Sequence, residues 1–420
     1  MPSRILGLLI PAGATADARR LVLARGLRGL VDGAVSVLLA SYLRDLGFSP
    51  SEIGVLITGT LLGSAALTLG VGLFGQRINP RRILLVACGL MLATGLGFAG
   101  VTSFWPLLLI AIAGTLNPSA GDVSVFLPTE QALLTRTVTP SSRTALFARY
   151  NLAGIFCGAC GALLSGLPIV IAKTQDLDLL DAQRSGFVLY ALAAILIAFL
   201  YRGLSPELDV DKTQVSGPLS KSRGIVLRLA ALFSIDAFGG GFVVQSLLAL
   251  WLFERYSLSV ETAGAIFFAA GLLSAFSQLV SAWLAARIGL IRTMVYTHLP
   301  SNLFLVLAAF MPTAPLAVAF LLARMALSQM DVPARQSYVM AMVPPEERVA
   351  AASVTNVPRS LASALAPAVG GYLLSLSSFG WPLLLAGVIK ALYDLLLMLQ
   401  FRNQRPEEEE RFTTSQTTAR

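Results

Sequence analysis

Apolar runs long enough to cross a hydrocarbon layer recur along almost the whole chain, separated by short polar segments rich in Arg, Pro and Gly. Twelve runs are predicted as membrane-spanning helices, near residues 21–43, 51–75, 82–101, 104–136, 143–172, 185–202, 224–254, 260–286, 292–312, 314–343, 347–376 and 379–401. Each meets or approaches the roughly 20 residues that a helix needs to traverse about 30 Å of hydrocarbon. Helices suit that medium because they satisfy their backbone hydrogen bonds internally. Asn79-Pro80, Thr139-Pro140, Pro344-Pro345 and Phe379-Gly380 fall in the predicted turns.

The pattern repeats. Residues 48–78 align without gaps on 258–288, matching Gly54 with Gly264, Ser64 with Ser274 and Arg77 with Arg287. Residues 122–166 align on 327–371, matching Pro128 with Pro333, Gln131 with Gln336, Arg143 with Arg348 and Asn151 with Asn356. An internal repeat in so apolar a chain predicts a transporter made of two homologous membrane halves. The expected organisation is a cytoplasmic stub (1–20), a six-helix bundle (21–202), a flexible cytoplasmic linker (203–223), a second six-helix bundle (224–401) and a disordered cytoplasmic tail (402–420). The fold class is all-α membrane protein.

Composition narrows the function. With 55% hydrophobic and 13% charged residues, the chain has far less charge than the roughly 25% of a soluble domain. Its net charge of +8 does not point to nucleic acid, because the basic residues gather at the ends of apolar runs, as topology requires. Arg77, Arg81, Arg82, Arg143, Arg202, Arg287 and Arg348 fall on one set of loops and ends, and Arg44, Lys173, Arg184 and Arg255 on the other. Both termini are therefore expected in the cytoplasm, and the protein in the inner or plasma membrane. Cys157 and Cys160 form a C-x-x-C inside a glycine-rich helix and read as packing residues. One histidine makes a zinc site unexpected. No metal or cofactor is called for, and no G-x-x-x-x-G-K-[ST] loop implies direct use of ATP.

Charge inside a span is costly, so intramembrane ionisable groups are the candidates for function. Asp32, Asp122 and Asp331 are the candidate proton-coupling carboxylates, with Asp32 first because it lies at mid-span with Arg28 one turn away. Arg28, Asp236, Gln245, Arg335, Gln336, Asn356 and Arg359 are the candidate substrate-binding residues. Arg359, with no acid at i±3 or i±4, is the expected anchor for an anionic group or for a carboxylate from another helix. The i, i+4 pairs Arg28/Asp32, Asp331/Arg335 and Lys390/Asp394 also admit a purely structural reading, and His298 is expected to be a helix-contact residue.

After the second span the chain reads Gly72-Leu-Phe-Gly-Gln76-Arg77-Ile-Asn79-Pro-Arg81-Arg82. This resembles the G-x-x-x-D-R-x-G-R-[RK] loop of the major facilitator superfamily, with Gln76 in place of the Asp and Asn79 in place of the second Gly. Ala366-Pro367-Ala-Val-Gly370-Gly371 is similar to the end of the family's antiporter motif, although it falls on span 11 and not on span 5. The resemblance covers about 21–402. It implies a twelve-helix fold, alternating access, spans 1, 4, 7 and 10 along the translocation path, and a cytoplasmic gate at Gly72, Arg77, Arg81 and Arg82. The expected function is proton-coupled efflux of a small amphipathic compound or metabolite by a functional monomer. Uptake or exchange of a small organic anion is the alternative. A non-transporting receptor or scaffold is a third reading, and no nucleophile–base constellation suggests an enzyme.

Overall fold

The structure is a computed structural model, and it describes residues 15–74, 78–119, 125–138, 143–209, 220–344 and 347–402. Its secondary structure over these residues is helical. The first half contains α1 (Ala16–Asp45), α2 (Pro50–Phe74), α3 (Pro80–Gly100), α4 (Phe104–Ala113), α5 (Phe126–Leu134), α6 (Arg143–Leu164), α7 (Leu167–Gln175) and α8 (Leu179–Arg202). After a 3-10 turn at Pro206–Asp209 come α9 (Arg223–Gly241), α10 (Gln245–Tyr256), α11 (Val260–Ile288), α12 (Leu290–Phe310), α13 (Ala314–Ser328), α14 (Asp331–Ala341), α15 (Arg348–Leu376) and α16 (Trp381–Phe401).

The sequence repeat reappears in where the helices begin. Pro50 and Val260, Pro80 and Leu290, and Phe104 and Ala314 open equivalent helices 210 positions apart. Phe126 and Asp331, and Arg143 and Arg348, open equivalent helices 205 apart.

Among the described residues nine helical stretches are long and apolar enough to cross a membrane. The other three spans are α1, which carries Arg25, Arg28 and Asp32, the interrupted α4/α5 pair, and α15. Large apolar side chains such as Trp105, Leu189, Phe199, Leu279 and Leu399 stand exposed, as a lipid-facing surface requires.

Four spans that the hydrophobic pattern predicts as single helices are broken: span 4 (α4/α5), span 5 (α6/α7), span 7 (α9/α10) and span 10 (α13/α14). The breaks follow local chemistry. Gly114 and Asn117-Pro118 interrupt span 4, Gly166 with Pro168 interrupts span 5, and Gly239-Gly240-Gly241 ends α9. Pro128 and Pro333 lie in the first turns of α5 and α14, where the N–H that proline lacks would have no intrahelical partner. The first helix also starts earlier than the predicted stub allows, at Ala16, with Thr15 Oγ1 accepting from the Ala18 N–H. The linker opens as packed chain, since Leu204 and Leu208 are buried and the Leu208 carbonyl accepts from Arg136.

Contacts gather the chain into two compact units. The first contains Met1–Lys212, Val244–Leu272 and Pro367–Ser378, so it holds α10 and parts of α11 and α15 beside α1–α8. Within it α1 packs along α6 through facing glycines: a Cβ on Gly33 would lie 2.0 Å from the Gly158 carbonyl oxygen. Also within it, Gly54 of α2 abuts Pro367 and Gly371 of α15, and Thr58 Oγ1 accepts from the Ala368 N–H at 2.9 Å. Ser246, in the first turn of α10, donates its N–H to Pro118 O at 3.1 Å and its hydroxyl to Ser36 O at 2.6 Å. The second unit contains Thr213–Val243, Leu273–Ala366 and Phe379–Arg420. Its core is built on Leu229, Phe233, Met294, Tyr338, Tyr393 and Leu397.

Candidate functional site: two buried charge clusters

Close helix approach brings charged side chains of distant spans together in each unit. In the first unit the glycine seam lays α1 against α6, so Arg28 meets groups from α5, α6 and α8. Its Nη2 lies 2.5 Å from Glu130 Oε2, and its Nη1 donates to the Tyr201 hydroxyl at 3.1 Å. Tyr201 in turn donates to Glu130 Oε1 at 2.6 Å, and Tyr150 donates to Glu130 Oε2. The guanidinium carbon sits 4.5 Å from the centre of the Phe126 ring. Arg28 is 1% and Glu130 0% exposed. A charge pair removed from water needs its remaining hydrogen-bonding capacity met; the two tyrosines do this for both Glu130 oxygens and for Arg28 Nη1, while Arg28 Nε has no partner.

This cluster takes Arg28 away from the residue predicted to pair with it. Asp32, one turn further along α1, is buried, and its Oδ1 has no hydrogen-bond partner. The positive charges acting on it are those of Arg28, already matched by Glu130, and of Arg25.

The second unit holds a network with Asp236 of α9 at its centre. Asp236 Oδ1 accepts from Lys390 Nζ of α16 at 2.5 Å, and Oδ2 accepts from Arg335 Nη1 of α14 at 3.3 Å. Arg335 also reaches Asp331 Oδ2 at 3.1 Å. His298 of α12 lies between two acids: Nδ1 is 2.9 Å from Asp394 Oδ1 and Nε2 is 3.8 Å from Asp236 Oδ1. Asn302 donates to Asp394 Oδ2 at 2.8 Å. Lys390 therefore serves Asp236, and Asp394 serves His298 and Asn302, in place of the Lys390/Asp394 pair that sequence spacing suggests.

The remaining candidates are dispersed. Gln245 is half-buried at the start of α10, with no partner for Nε2. Gln336 and Asn356 are exposed on α14 and α15, and Arg359 is half-buried on α15. Gly72 is exposed near the end of α2 and Arg82 is exposed on α3, while Arg81 donates to the carbonyl of Arg202, the last residue of α8. A cation there meets the negative end of a helix. Asp122 and Arg77 lie outside the described residues. Sequence reasoning missed Tyr150 and Tyr201 as partners and Asn117 as a buried polar group. The signal for Asn117 is the Asn-Pro step inside an apolar run.

The model of the Major Facilitator Superfamily matches residues 21–330 and 229–419. The chain belongs to this superfamily. An uncharacterized membrane protein of Saccharomyces cerevisiae is 24% identical over 410 residues, covering 89% of this chain and 92% of its own length. The multidrug resistance protein MdtG of Proteus mirabilis is 31% identical over 126 residues, 29% of this chain and 30% of its own. The xylose transporter XylE from E. coli, in an inward open conformation, superimposes with a TM-score of 0.72 at 15% identity, covering 94% of this chain and 99% of that one. At that identity the likeness shows the fold. Family and fold together make the chain a membrane transporter of the superfamily's twelve-helix architecture.

Proposed function

We propose that this superfamily member is a proton-coupled secondary transporter that exports a small amphipathic compound by alternating access, working as a monomer with both termini in the cytoplasm. One observation carries the reading. Asp32 is a carboxylate in the middle of span 1, and it keeps an unpartnered oxygen while every other buried acid of the two clusters is engaged. A proton carrier needs such a group, because a carboxylate locked in an ion pair is not available to exchange its proton for a ligand. The partial similarity to a multidrug resistance protein supports export. In this reading Asp331 and Asp236 hold the second half together, Asp122 is a secondary carrier candidate, and Gly72, Arg77, Arg81 and Arg82 form the cytoplasmic gate.

A second reading, uptake or exchange of a small organic anion, draws on Arg359, half-buried on α15 with no acid one turn away in sequence.

Proteoliposomes containing entrapped pyranine separate the two. Addition of a lipophilic cation such as ethidium should drive proton flux in the parent protein and none in Asp32→Asn. Flux evoked by benzoate and not by ethidium, and lost in Arg359→Ala, would move the assignment to anion transport.

A further inference from the structure

A groove runs between spans 3 and 6 of the first unit, away from both charge clusters. Its volume is about 260 Å³, and Leu85, Gly89 and Leu92 of α3 face Ile195, Ala198 and Phe199 of α8 across it. Arg202 completes the lining at the end of α8. Helical spacing produces this arrangement. Arg81, Leu85, Cys88 and Leu92 follow at i, i+4, i+7 and i+11, and Ile195, Phe199 and Arg202 at i, i+4 and i+7. Each stripe therefore occupies one face of its helix and ends in an arginine. Arg81 donates to the Arg202 carbonyl, which fastens the two ends together. Ile195 and Phe199 are exposed, so the groove opens on the lipid-facing surface.

Two glycines of α3 set the groove's shape. At Gly95 the helices touch, since a Cβ there would lie 2.7 Å from Phe187 O and 2.9 Å from Ala191 Cβ. At Gly89 they have parted, and a Cβ would meet nothing within 4 Å. The space is specific to this half: by the repeat offset of α3 and α12, the equivalent of Gly89 is Leu299. From Arg81 to Leu92 the groove runs about 16 Å at 1.5 Å per residue. One leaflet offers roughly 15 Å of hydrocarbon, half of about 30 Å. The apolar floor thus spans the depth of one acyl chain. Its mouth is cationic, because Arg82 and Arg202 are exposed and no ion pair with an acid engages either among the described residues. Arg82 stands three residues before Leu85 and seven before Gly89, on the groove side of α3. A larger cavity, about 400 Å³, is apolar throughout, with Leu67, Ile83 and Ile112 in its lining, and nothing in it selects one occupant over another.

We infer that the groove between α3 and α8 binds one anionic phospholipid of the surrounding leaflet, an acyl chain against Leu85, Gly89 and Leu92 and the phosphate on Arg202 and Arg82. Three features converge on that occupant: an apolar channel as deep as a leaflet, a glycine that keeps it open, and guanidinium groups at the level of the headgroups. Arginine suits a phosphate because its planar fork can donate two parallel hydrogen bonds. In the proposed topology this mouth faces the cytoplasmic leaflet, where anionic lipids create the negative surface potential. The inference concerns a membrane partner and goes beyond the export reading.

Native mass spectrometry of the full-length protein, delipidated and then mixed with equimolar dioleoyl phosphatidylglycerol and dioleoyl phosphatidylcholine, reads the site directly. The parent protein should hold phosphatidylglycerol one-to-one with a preference of about twentyfold, as two arginines near an anionic headgroup would give. Arg202→Gln keeps the backbone carbonyl that Arg81 holds, and it should cut that preference about fivefold while leaving phosphatidylcholine unchanged. Gly89→Leu fills the channel with the residue that the second half carries at the equivalent position, so it should fold, and it should weaken both lipids together. Glycerophosphoglycerol, the headgroup without chains, should fail to displace phosphatidylglycerol at equal concentration. Equal retention of the two lipids by the parent, or phosphatidylglycerol binding indifferent to Arg202→Gln or to Gly89→Leu, would overturn the lipid site. Displacement by glycerophosphoglycerol would overturn it too, in favour of a site for free phosphate esters. The readout involves no transport, so failure of proton coupling would leave the lipid ranking intact, and failure of the lipid ranking would leave ethidium-driven proton flux intact.

Discussion

The two halves keep the same seam and exchange the sign of the charges behind it. In the first half Gly33 of span 1 packs on the Gly158 carbonyl of span 5, and in the second Gly241 of span 7 packs on the Ser363 carbonyl of span 11. These contacts are equivalent: 363 − 158 = 205, the repeat offset, and 241 − 33 = 208 relates span 1 to span 7. By the same offsets Glu130 corresponds to Arg335 and Arg28 to Asp236. An acid on span 4 holding a cation on span 1 has become a cation on span 10 holding an acid on span 7. Each half thus carries an ion pair between its first and fourth spans, with opposite polarity in the two. Asp32 has no such counterpart, because its equivalent, 32 + 208, is Gly240. A buried carboxylate that one half carries and the other lacks is not part of the shared framework, and this asymmetry supports the transport role proposed for it.

The halves also differ in connectivity, and this gives the largest expected effects. Removing one partner of a buried pair costs about 3–5 kcal/mol, whereas replacing both by apolar residues is often neutral. Glu130→Ala and Asp236→Ala should each fall in that range, read as loss of thermal stability in detergent. Asp236→Ala should be the worse, since it takes the carboxylate from Lys390 and one of the two that hold Arg335. The double variants separate the halves. Arg28→Leu with Glu130→Leu should be more stable than either single change. Asp236→Leu with Arg335→Leu should not recover, because Lys390 and Asp331 stay behind without their partners. Equal recovery in both halves would show that the second cluster is a set of independent pairs and not a network.

The shared seam predicts a smaller and equal effect. Alanine at Gly33 would place its Cβ 2.0 Å from Gly158 O, and at Gly241 2.2 Å from Ser363 O. Overpacking of this kind costs about 1–3 kcal/mol, so both variants should lower the melting temperature by similar amounts. Gly89→Ala is the control. A Cβ there meets nothing within 4 Å, and the gain in helix propensity, up to about 1 kcal/mol, should make it neutral or stabilising. Unequal costs at Gly33 and Gly241 would mean that the seams differ in how far their helices can yield.

The architecture was legible because hydrophobic run length and the repeat are properties of the chain in order. The offsets of 210 and 205 in sequence reappear in the helix starts. Charge pairing was legible only where it is local. Asp331 and Arg335, four residues apart, do meet at 3.1 Å. Arg28 and Asp32 have the same spacing, yet Arg28 goes to Glu130, 102 positions away, and Lys390 passes over Asp394 for Asp236, 154 positions away. Helical spacing says which side chains can meet along one helix. It cannot reveal a better hydrogen-bonded partner on a facing helix, and burial makes that partner decisive. Broken spans were missed for a related reason: hydrophobicity runs straight through Gly114–Pro118 and Gly239–Gly241, while the backbone does not.

The starts of the two halves offer the finest comparison, between a neutral cap and a charged one. The first helix is capped by Thr15, whose hydroxyl oxygen accepts from Ala18 N at 3.3 Å. The α9 start is held instead by Glu347, from the loop before α15. Its Oε1 accepts from the Ser220 hydroxyl at 2.7 Å, the Ser220 N–H at 3.0 Å and the Lys221 N–H at 2.9 Å, and its Oε2 from the Ser222 N–H at 3.1 Å. The Ser220 hydroxyl, followed by these backbone donors, lowers the carboxyl from 4.5 to about 2. A folded-state pKa below the unfolded one adds stability that is complete above about 4.5 and is lost as pH falls through about 2. Glu347→Gln should therefore melt below the parent protein near neutral pH, and the gap should close as the pH is brought down through that window. Thr15→Ala should cost about 1 kcal/mol at every pH in the same range, because no charge is involved. A Glu347→Gln deficit as flat with pH as that of Thr15→Ala would show that the second half, like the first, is capped by hydrogen bonding alone, with the carboxylate charge contributing nothing.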